Sequence, residues 1–275
     1  ARIRRADPCV IRLIFGFKRP RKSVLGVVVA GEVVAIGEKV SNFKIGDRVF
    51  GSTGMSFGAH AQYTCVDQYG TLAKIPENMT AGDAAAIPFG ATAALHFLRK
   101  GQIKKGQKVL IYGASGAIGT IAIQLAKNYG AEVTAVCSGK NTELVKSLGA
   151  DKVIDYTKED FSMSGIKYDI IFDTVGKSSF SKNRSALTEN GKMLLASAGV
   201  GLMLRGAVTS FFGRNKIFSG VIKETPEDMH LLKQLIESHK LKAVVDKEYS
   251  LNEIVDAHQY VDAGHKKGNV IIHMG

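Results

Sequence analysis

The amino-acid sequence predicts an α/β protein that joins a doubly wound parallel sheet to a separate antiparallel β domain. Short Val-rich runs broken by glycines fill residues 24–58, which is typical of antiparallel strands joined by tight turns. From residue 108 onward, apolar strand-like runs alternate with segments of helical spacing, which is typical of right-handed βαβ units. A glycine-rich turn separates the first of these strands from its helix.

The β domain is predicted from four runs of residues that are broken by turn signals. Its expected strands are 27–29, 33–36, 47–50 and 59–66. From Ala81 the glycine-broken Val-rich runs give way to an alanine-rich segment, and Pro88 leads into an expected helix over 91–100. The expected domain bounds are 1–85 for the first part of the β domain, 86–224 for the parallel-sheet domain, and 225–275 for a helix and a return to the β domain.

The parallel-sheet domain is predicted from alternating periodicities. The expected strands are 108–113, 132–138, 152–155, 168–173, 191–197 and one near 216–222. The expected helices are 117–129, 141–148 and 179–188. Beyond them, Pro226 opens a helix that runs through His239, and residues 270–272 read as a further strand.

The glycine-rich turn is the most informative motif. Ala114 to Gly119 fits the pattern G-x-G-x-x-G with Ala in the first place, where a small residue still permits a tight turn. Amides at the start of the following helix can hold a pyrophosphate, aided by the helix dipole. Because the flanking strands and helix fall where a βαβ unit requires them, the motif predicts dinucleotide binding; the alternative is a merely structural turn.

The end of the second parallel strand indicates which dinucleotide binds. An NAD-preferring fold usually places Asp or Glu there, about 20 residues past the glycines, to bind the ribose hydroxyls. This chain has Ser138-Gly139-Lys140-Asn141 instead. Without a carboxylate in that place, and with Lys140 and the Ser138 hydroxyl available for a 2′-phosphate, the pattern favours NADPH. The alternative is that Lys140 is a solvated residue that opens the next helix.

The charge balance bears on possible partners. The formal net charge is +12, which could suggest a nucleic acid or an anionic membrane surface. Much of it comes from eight basic residues near one end of the chain. They are Arg2, Arg4, Arg5, Arg12, Lys18, Arg19, Arg21 and Lys22. Since no zinc finger or RNA-recognition motif accompanies them, we expect a basic surface and no nucleic-acid partner.

The cysteines and the apolar stretches bear on the compartment. Cys9, Cys65 and Cys137 are far apart and form neither a disulfide framework nor a closely spaced metal motif, as is typical of a reducing compartment. The longest apolar stretch, 193–204, is interrupted by Ser197 and is too short to span a bilayer. We therefore expect a cytoplasmic protein without a transmembrane segment.

Six stretches together resemble the medium-chain dehydrogenase/reductase superfamily, and within it the zinc-free quinone oxidoreductase branch. They cover nearly the whole chain in the family's order. They are 26–37, 46–49, 87–95, 113–127, 148–156 and 173–176. The resemblance implies a Rossmann domain with a doubly wound parallel sheet, placed between the two parts of a GroES-like catalytic β domain.

The resemblance also implies cofactor contacts, residue by residue. Thr92 would approach the nicotinamide end, Ser138 and Lys140 would bind the 2′-phosphate, and Tyr156 would lie beside the adenosine. The pyrophosphate would be held by Ser115, Gly116, Ala117, Ile118 and Gly119. Val175, Ser197 and Phe218 would contact the cofactor toward its nicotinamide end, and Asn269 is a further candidate.

Some of these residues have ordinary structural alternatives. Tyr156 could be a strand-end aromatic that packs on the sheet. Thr92 could be a helix-start hydroxyl that bonds to the backbone. Val175 and Phe218 are apolar, and their alternative is a place in the core.

Two departures from the family pattern carry further expectations. The zinc-dependent branch has a Gly-His-Glu motif where this chain reads Leu25 to Glu32 without histidine, and its cluster of four cysteines is absent. The seven histidines show no paired ligand spacing, so we expect no metal. Residues 1–8 align with a point inside the family's catalytic domain, so we expect that an N-terminal segment is missing and that the activity of the chain as given is reduced.

Together these features predict hydride transfer from NADPH to a quinone or an α,β-unsaturated carbonyl, without a metal. One alternative is a zinc-free alcohol or aldehyde dehydrogenase, which the lack of a Lewis acid disfavours. Another is a sensor or scaffold that binds NADPH and turns nothing over. By analogy with the family, we expect a homodimer that pairs the last parallel strand with its counterpart.

Overall fold

The computed structural model describes residues 21–197 and 215–275, so the arginine-rich start and Cys9 lie outside the described residues. The described residues form two compact units. The first comprises 21–89, 224–239 and 243–275; the second comprises 90–197, 215–223 and 240–242. In these ranges, no helix combines the length and the apolar character that crossing a membrane requires.

The helices and strands are numbered here in chain order. The strands are β1 Val28–Glu32, β2 Arg48–Ser52, β3 Leu72–Lys74, β4 Lys108–Tyr112, β5 Glu132–Cys137, β6 Lys152–Asp155, β7 Tyr168–Asp173, β8 Leu187–Leu195, β9 Lys216–Phe218, β10 Val245–Ser250 and β11 Asn269–His273. The helices are α1 Ala81–Ala85, α2 Pro88–Lys100, α3 Ala117–Asn128, α4 Thr142–Ser147, α5 Phe180–Ala186, α6 Pro226–Glu237 and α7 Ile254–Asp262.

The first unit contains an antiparallel sheet, as expected, in the order β1-β2-β3, but strand β3 was not predicted. Ala30 of β1 lies opposite Phe50 of β2, and Phe50 is fully buried. Gly51 permits the approach of β3, because a Cβ atom there would lie 2.1 Å from the carbonyl oxygen of Thr71. Strands β10 and β11 pair in parallel in the same unit. This architecture is the GroES-like β domain that the resemblance implies.

Two of the predicted strands in this unit are wrong. Residues 33–36 form no strand: Val33 still exchanges backbone hydrogen bonds with Asp47 and Gly46, but Val34 and Ile36 are exposed, so the run has no buried face. Residues 59–66 also form no strand: Ala59 and His60 donate their amides to carbonyls at 25 and 26, but residues 62–65 are all exposed. The alternation of residue types there lacks the covered face that stabilises a strand.

The second unit is a Rossmann fold around a parallel sheet in the order β6-β5-β4-β7-β8-β9. Val109, Leu110 and Ile111 are consecutive in β4 and all are fully buried. Because successive side chains of a strand point to opposite faces, both faces of β4 are covered, as a doubly wound sheet requires. The chain runs outward from β4 to β6 on one side and resumes at β7 on the other, so the strand order reverses between β4 and β7.

The bounds of the last parallel strands differ from the prediction. Helix α5 ends at Ala186, and β8 begins at once with Leu187 rather than at 191. Leu187 is buried opposite Tyr168, and a register shift between Tyr168 and Ile170 accommodates the extra residues. Strand β9 ends at Phe218, because the chain beyond it turns outward and leaves Val221 87% exposed.

Candidate functional site

The candidate site lies at the carboxyl ends of the parallel strands in the second unit. Ligands of doubly wound folds bind in the crevice at this edge, where the strand order reverses. Three segments meet the edge beside that point. They are the turn 113–119 after β4, the turn 138–141 after β5 and the loop 174–178 after β7.

The turn after β4 begins with Gly113, not with Ala114 as the motif alignment assumes. Gly113 has a φ of +80°, in the left-handed region that favours glycine, whereas Ala114 is fully buried and has no positive φ. A Cβ atom on Gly113 would lie 2.7 Å from Cγ1 of Val175 and 2.8 Å from Oγ1 of Thr174. Gly113 therefore makes the tight turn and also lets the β7 loop approach it.

The start of α3 can receive an anion. Gly116 is its N-cap, and no side chain caps the helix. The amide of Thr120 donates to the carbonyl of Gly116, so the amides of the first turn precede the intrahelical bonds. Among the described residues, a Cβ atom on Gly116 would meet one atom, the carbonyl oxygen of Gly113, at 3.4 Å. The helix dipole and these amides fit a pyrophosphate at this place.

Two further glycines let the helices pack closely around this turn. A Cβ atom on Gly119 would lie 2.3 Å from the carbonyl oxygen of Gly113. A Cβ atom on Gly90 of α2 would lie 2.5 Å from the carbonyl oxygen of Ala117. Because neither backbone oxygen can yield without moving its turn, α2 and α3 reach their positions only with glycine in both places.

The turn after β5 presents the residues predicted to bind a 2′-phosphate. Lys140 is exposed, and its amine has no partner in the described part of the chain. Ser138 is half-buried at the start of a 3₁₀ turn that spans Gly139–Asn141. This turn itself carries no carboxylate, in keeping with the NADPH preference that the sequence indicates.

A carboxylate from the neighbouring strand does reach this turn, however. A Cβ atom on Gly139 would lie 2.5 Å from Oδ2 of Asp155, the last residue of β6. Hydrogen bonds from the side chain and backbone of Thr157, joined by one from the Gly139 backbone, hold the pKa of Asp155 below its usual value. Asp155 is therefore a charged group that holds the turn, and the sequence reasoning missed it because it considered only the end of β5.

Asn141 joins the two turns, and the sequence reasoning missed this too. Its Nδ2 donates to Oγ of Ser115 at 3.0 Å and to Oγ of Ser138 at 3.2 Å. Its side chain is 4% exposed, and its Oδ1 has no hydrogen-bond partner in the described residues. The structure thus brings Ser115 and Ser138, predicted from separate motifs, into one hydrogen-bonded group.

The loop after β7 is organised by a buried carboxylate. Asp173 is 1% exposed; its Oδ1 accepts the amides of Val175 at 2.9 Å and Gly176 at 2.8 Å, and its Oδ2 accepts the amide and hydroxyl of Ser178. Asn183 of α5 supports the hydroxyl of Ser178, to which its Nδ2 donates at 2.6 Å. The network holds Val175 on the rim of the crevice with 42% of its surface exposed, so a core role does not describe it.

The remaining predicted residues fall in several places. Tyr156 follows β6 and is 54% exposed, so it does not pack in the core as its alternative required. Ser197 lies just past β8, where its carbonyl oxygen would be 2.5 Å from a Cβ atom on Gly176. Phe218 ends β9 and is half-buried. Each of the three thus lies at or just past the carboxyl end of its strand.

Thr92 and Asn269 do not lie at the carboxyl end of a parallel strand. Thr92 is 1% exposed and is the fifth residue of α2, which begins at Pro88, so it is not a helix-start hydroxyl. Asn269 begins β11 in the first unit, and its amide donates to the carbonyl of Val244 at 2.8 Å. The other predicted site residues belong to the second unit.

Acidic, histidine and cysteine side chains are the usual metal ligands of proteins. Within residues 21–197 and 215–275, no three of them cluster closely enough to hold a metal ion. The ring centroids of His60 and His258 in the first unit are 6.4 Å apart. Burial is the largest cause that lowers the pKa of each, which favours their neutral forms.

The fold and the glycine turn define the class: a Rossmann-type dinucleotide-binding α/β protein with a GroES-like β unit. Two family models agree with it. Residues 4–77 match the alcohol dehydrogenase GroES-like domain, and residues 148–272 match the zinc-binding dehydrogenase family. The chain belongs to the medium-chain dehydrogenase/reductase superfamily, in its quinone-oxidoreductase-like branch.

Individual relatives support this placement. The chloroplast envelope quinone oxidoreductase homolog of Arabidopsis thaliana is 34% identical over 257 residues, which cover 89% of this chain and 78% of the relative. The NADPH-dependent alkenal/one oxidoreductase, chloroplastic, of the same plant is 34% identical over 92% of this chain; the chain spans 64% of that relative's length. The solved quinone oxidoreductase of Coxiella burnetii has a TM-score of 0.84 at 28% identity, over 95% of this chain and 82% of that one.

Proposed function

We propose that the protein is an NADPH-dependent oxidoreductase that transfers a hydride to a quinone or an α,β-unsaturated carbonyl without a metal. The observation that carries the proposal is the uncapped start of α3 beside a turn that presents Ser138 and Lys140. A helix start that can bind an anion, followed after the next strand by a lysine that has no partner among residues 21–197 and 215–275, suits a dinucleotide with a 2′-phosphate. The names of two relatives, an NADPH-dependent alkenal/one oxidoreductase and a quinone oxidoreductase homolog, support the same assignment.

The described residues can be assigned to successive parts of NADPH. Ser115 and the amides at 116–119 would hold the pyrophosphate, Ser138 and Lys140 the 2′-phosphate, and the exposed ring of Tyr156 would lie beside the adenosine. Toward the nicotinamide we assign Val175, Ser197 and Phe218, together with Thr92 of the same unit. Bound there, NADPH would supply a hydride to an electrophilic carbon of the substrate.

The chain's own residues would contribute positioning rather than acid or metal chemistry. Asp173 fixes the loop that carries Val175. The Val175 side chain can therefore set the position of a bound nicotinamide ring. The sequence lacks the histidine and the four-cysteine cluster of the zinc-dependent branch. An acceptor that is already conjugated to a carbonyl needs no Lewis acid to accept a hydride, so quinones and enones fit this residue set better than simple aldehydes.

One set of assays tests the reaction. We would measure oxidation of NADPH by the full-length protein with a quinone, with an enone and with a simple aldehyde. The proposal expects turnover with the first two and little with the aldehyde. Preferred turnover of the aldehyde would make the protein an alcohol or aldehyde dehydrogenase. Tight binding of NADPH without turnover of any of the three would make it a sensor or scaffold.

Elemental analysis of protein purified without chelator tests the absence of metal. We expect substoichiometric zinc, because neither zinc motif of the family is present in the sequence. One tightly held zinc ion per chain would contradict the zinc-free assignment.

We extend the proposal to a homodimer built on β9. Among the described strands β9 is an edge that pairs with β8 alone, and an open edge exposes unpaired backbone groups. Joining it to the β9 of a second copy would cover this edge. Sedimentation of the full-length protein at micromolar concentration tests this assembly. A Val221→Asp variant should weaken the assembly, and a monomeric wild type would contradict it.

The cytoplasm is the proposed compartment. Cys65 and Cys137 are unpaired, as is usual where thiols stay reduced. The relatives from Arabidopsis thaliana carry chloroplast names, so imaging of the tagged full-length protein should compare the two compartments. A signal confined to an organelle would contradict the proposal.

A further inference from the structure

Asn141 occupies an unusual place in the candidate site. Its Nδ2 lies 3.0 Å from Oγ of Ser115 and 3.2 Å from Oγ of Ser138, so it contacts one residue of each turn. Its own amide donates to the carbonyl of Ser138 at 2.9 Å, which fixes the backbone beneath the side chain. No side-chain hydrogen bond from Asn141 caps the helix that follows. The side chain therefore links the two turns rather than supporting α4.

The orientation of the amide decides the role of both serines. The Asn141 amino group has two hydrogens, and each has a serine oxygen as its acceptor. The opposite orientation would leave both amide hydrogens unpaired in a side chain that is 4% exposed, whereas the orientation in the structure leaves one atom of this amide, the acceptor Oδ1, unpaired. A serine oxygen that accepts from Asn141 keeps its own hydrogen free to donate. Asn141 therefore turns Ser115 and Ser138 into donors.

The unpaired Oδ1 indicates that the arrangement has a cost in stability. A buried acceptor without a partner loses its hydration and regains nothing. The cost is understandable if the hydroxyl donors that Asn141 creates are needed by an anionic ligand.

We propose that Asn141 is a positioning residue that determines the preference for a 2′-phosphorylated dinucleotide by fixing Ser115 and Ser138 as hydrogen-bond donors to phosphate. The proposal rests on the proposed function, since it assumes NADPH as the ligand. A donor at Ser115 would serve the pyrophosphate, which NADH and NADPH share. A donor at Ser138 would serve the 2′-phosphate, which NADPH alone carries, so the loss of Asn141 should weaken NADPH binding more than NADH binding.

The test is calorimetric titration of the full-length protein with NADPH, NADH and adenosine 2′,5′-bisphosphate. In Asn141→Asp, a carboxylate of the same shape would accept from both serines and repel phosphate. We expect the ratio of the NADH to the NADPH dissociation constant to fall by at least about tenfold, the factor that corresponds to about 1.4 kcal/mol. Asn141→Ala should show a smaller fall, and the bisphosphate should follow NADPH.

A double-mutant cycle separates positioning from general loss of structure. If Asn141 acts through Ser138, then Asn141→Ala in a Ser138→Ala background should leave the ratio where Ser138→Ala alone puts it. Asn183→Asp is the matched control. Asn183 is also a buried asparagine with an unpaired Oδ1 and a serine partner, but it supports the loop after β7. It should change NADH and NADPH binding by the same factor.

The binding measurements distinguish a failure of the Asn141 role from a failure of the proposed function. An unchanged ratio in both Asn141 variants, or additive effects of Asn141→Ala and Ser138→Ala, would overturn the proposal while NADPH binding by the wild type stands. If the Asn141 variants do not fold, Ser138→Ala carries the test, since it leaves Asn141 in place and must reduce the ratio by itself. A wild type that binds no NADPH would instead overturn the proposed function.

Discussion

Gly119 and Gly113 meet at a distance that admits no side chain. A Cβ atom on Gly119 would lie 2.3 Å from the carbonyl oxygen of Gly113 and 2.7 Å from the backbone of Ala114. The turn after β4 and the first turn of α3 are therefore in direct backbone contact. This contact holds the helix start at the end of the sheet, where the candidate site lies.

Gly119→Ala should destabilise the protein because the new methyl group would force the turn away from α3. The expected loss in the free energy of unfolding is about 1–3 kcal/mol, the usual cost of overpacking a tightly packed site. Urea denaturation checks it. An unchanged denaturation midpoint would show that the turn can relax at no cost.

Gly116→Ala is the matched variant, with the opposite expectation. Its Cβ atom would meet the carbonyl oxygen of Gly113 at 3.4 Å, an ordinary contact, and its φ of −83° suits any residue. Stability should change little, while the methyl group would occupy space at the uncapped helix start and weaken binding of both NADPH and NADH. Titration with both cofactors beside the urea curve measures the two effects. If Gly116→Ala bound both cofactors as tightly as the wild type, the pyrophosphate would not lie at the start of α3.

Lys140→Ala should weaken NADPH binding by about 1–3 kcal/mol, the range for a charge-assisted contact, and leave NADH binding nearly unchanged. The physical reason is that Lys140 is exposed and has no partner in the described part of the chain, so its charge is available to a 2′-phosphate. Lys146→Ala is the control on the adjoining helix, since Lys146 is already paired with Glu143 at 3.5 Å. Equal losses for the two cofactors would contradict the role of Lys140.

Asp160→Asn should reduce stability in a way that depends on pH. A hydrogen bond from Lys182 is the largest cause that lowers the pKa of Asp160 to about 2, and Ser162 adds to it. Because the folded pKa lies below the unfolded value, the charged carboxylate stabilises the fold above the unfolded value of 3.8, and this contribution is lost as pH falls through about 2. Since Lys182 is half exposed, solvent limits the effect at neutral pH to about 1 kcal/mol.

The measurement is urea denaturation of the wild type and Asp160→Asn across this pH range. Asparagine keeps an acceptor for the amide and hydroxyl of Ser162, so the comparison isolates the charge. Glu143→Gln is the control, because Glu143 is 90% exposed and takes no part in the ion pair between Asp160 and Lys182. A difference between wild type and Asp160→Asn that stays constant down to pH about 2 would rule out the ion pair as its source.

Cys137 should resist thiol reagents in the folded protein. Burial, followed by the nearby charge of Asp155, raises the pKa of Cys137 to about 11. At a pH of about 8 only about one molecule in a thousand would carry the reactive thiolate. Peptide mapping after brief alkylation should therefore find Cys65, which is exposed, modified and Cys137 unmodified until urea is added. Equal labelling of both would mean that the end of β5 opens readily.

The sequence predicts the parallel sheet well because its strands are buried on both faces. Strand 168–173 and strand 152–155 have the predicted bounds, and β4, β5 and α3 end within one residue of theirs. Continuous apolar runs and helical spacing are local signals, so they can be recognised without knowing which strand or helix packs against the segment. The sequence also predicts which residues gather at the strand ends, since parallel strands all end at one edge.

The failures concern features that depend on distant parts of the chain. Residues 59–66 alternate as a strand would, but whether a run becomes a strand depends on what covers its face, which the run itself does not encode. Asn141 carries no motif, and its role follows from Ser115, which is distant in sequence. Asp155 reaches Gly139 only because β6 lies beside β5. Such groupings arise from topology rather than from local pattern.

One unit is nearly continuous in sequence and the other is discontinuous, and this difference affects the order in which they can fold during synthesis. The second unit is almost one continuous stretch, whereas the first must join 21–89 to 224–239 and 243–275. Synthesis proceeds from the N-terminus, so the early segment leaves the ribosome long before its later partners exist. Apolar residues such as Phe50 and Leu72 then await burial while the nucleotide-binding half closes from neighbouring pieces. A nascent chain at this stage exposes apolar surface that the folded protein buries, and such surface favours aggregation.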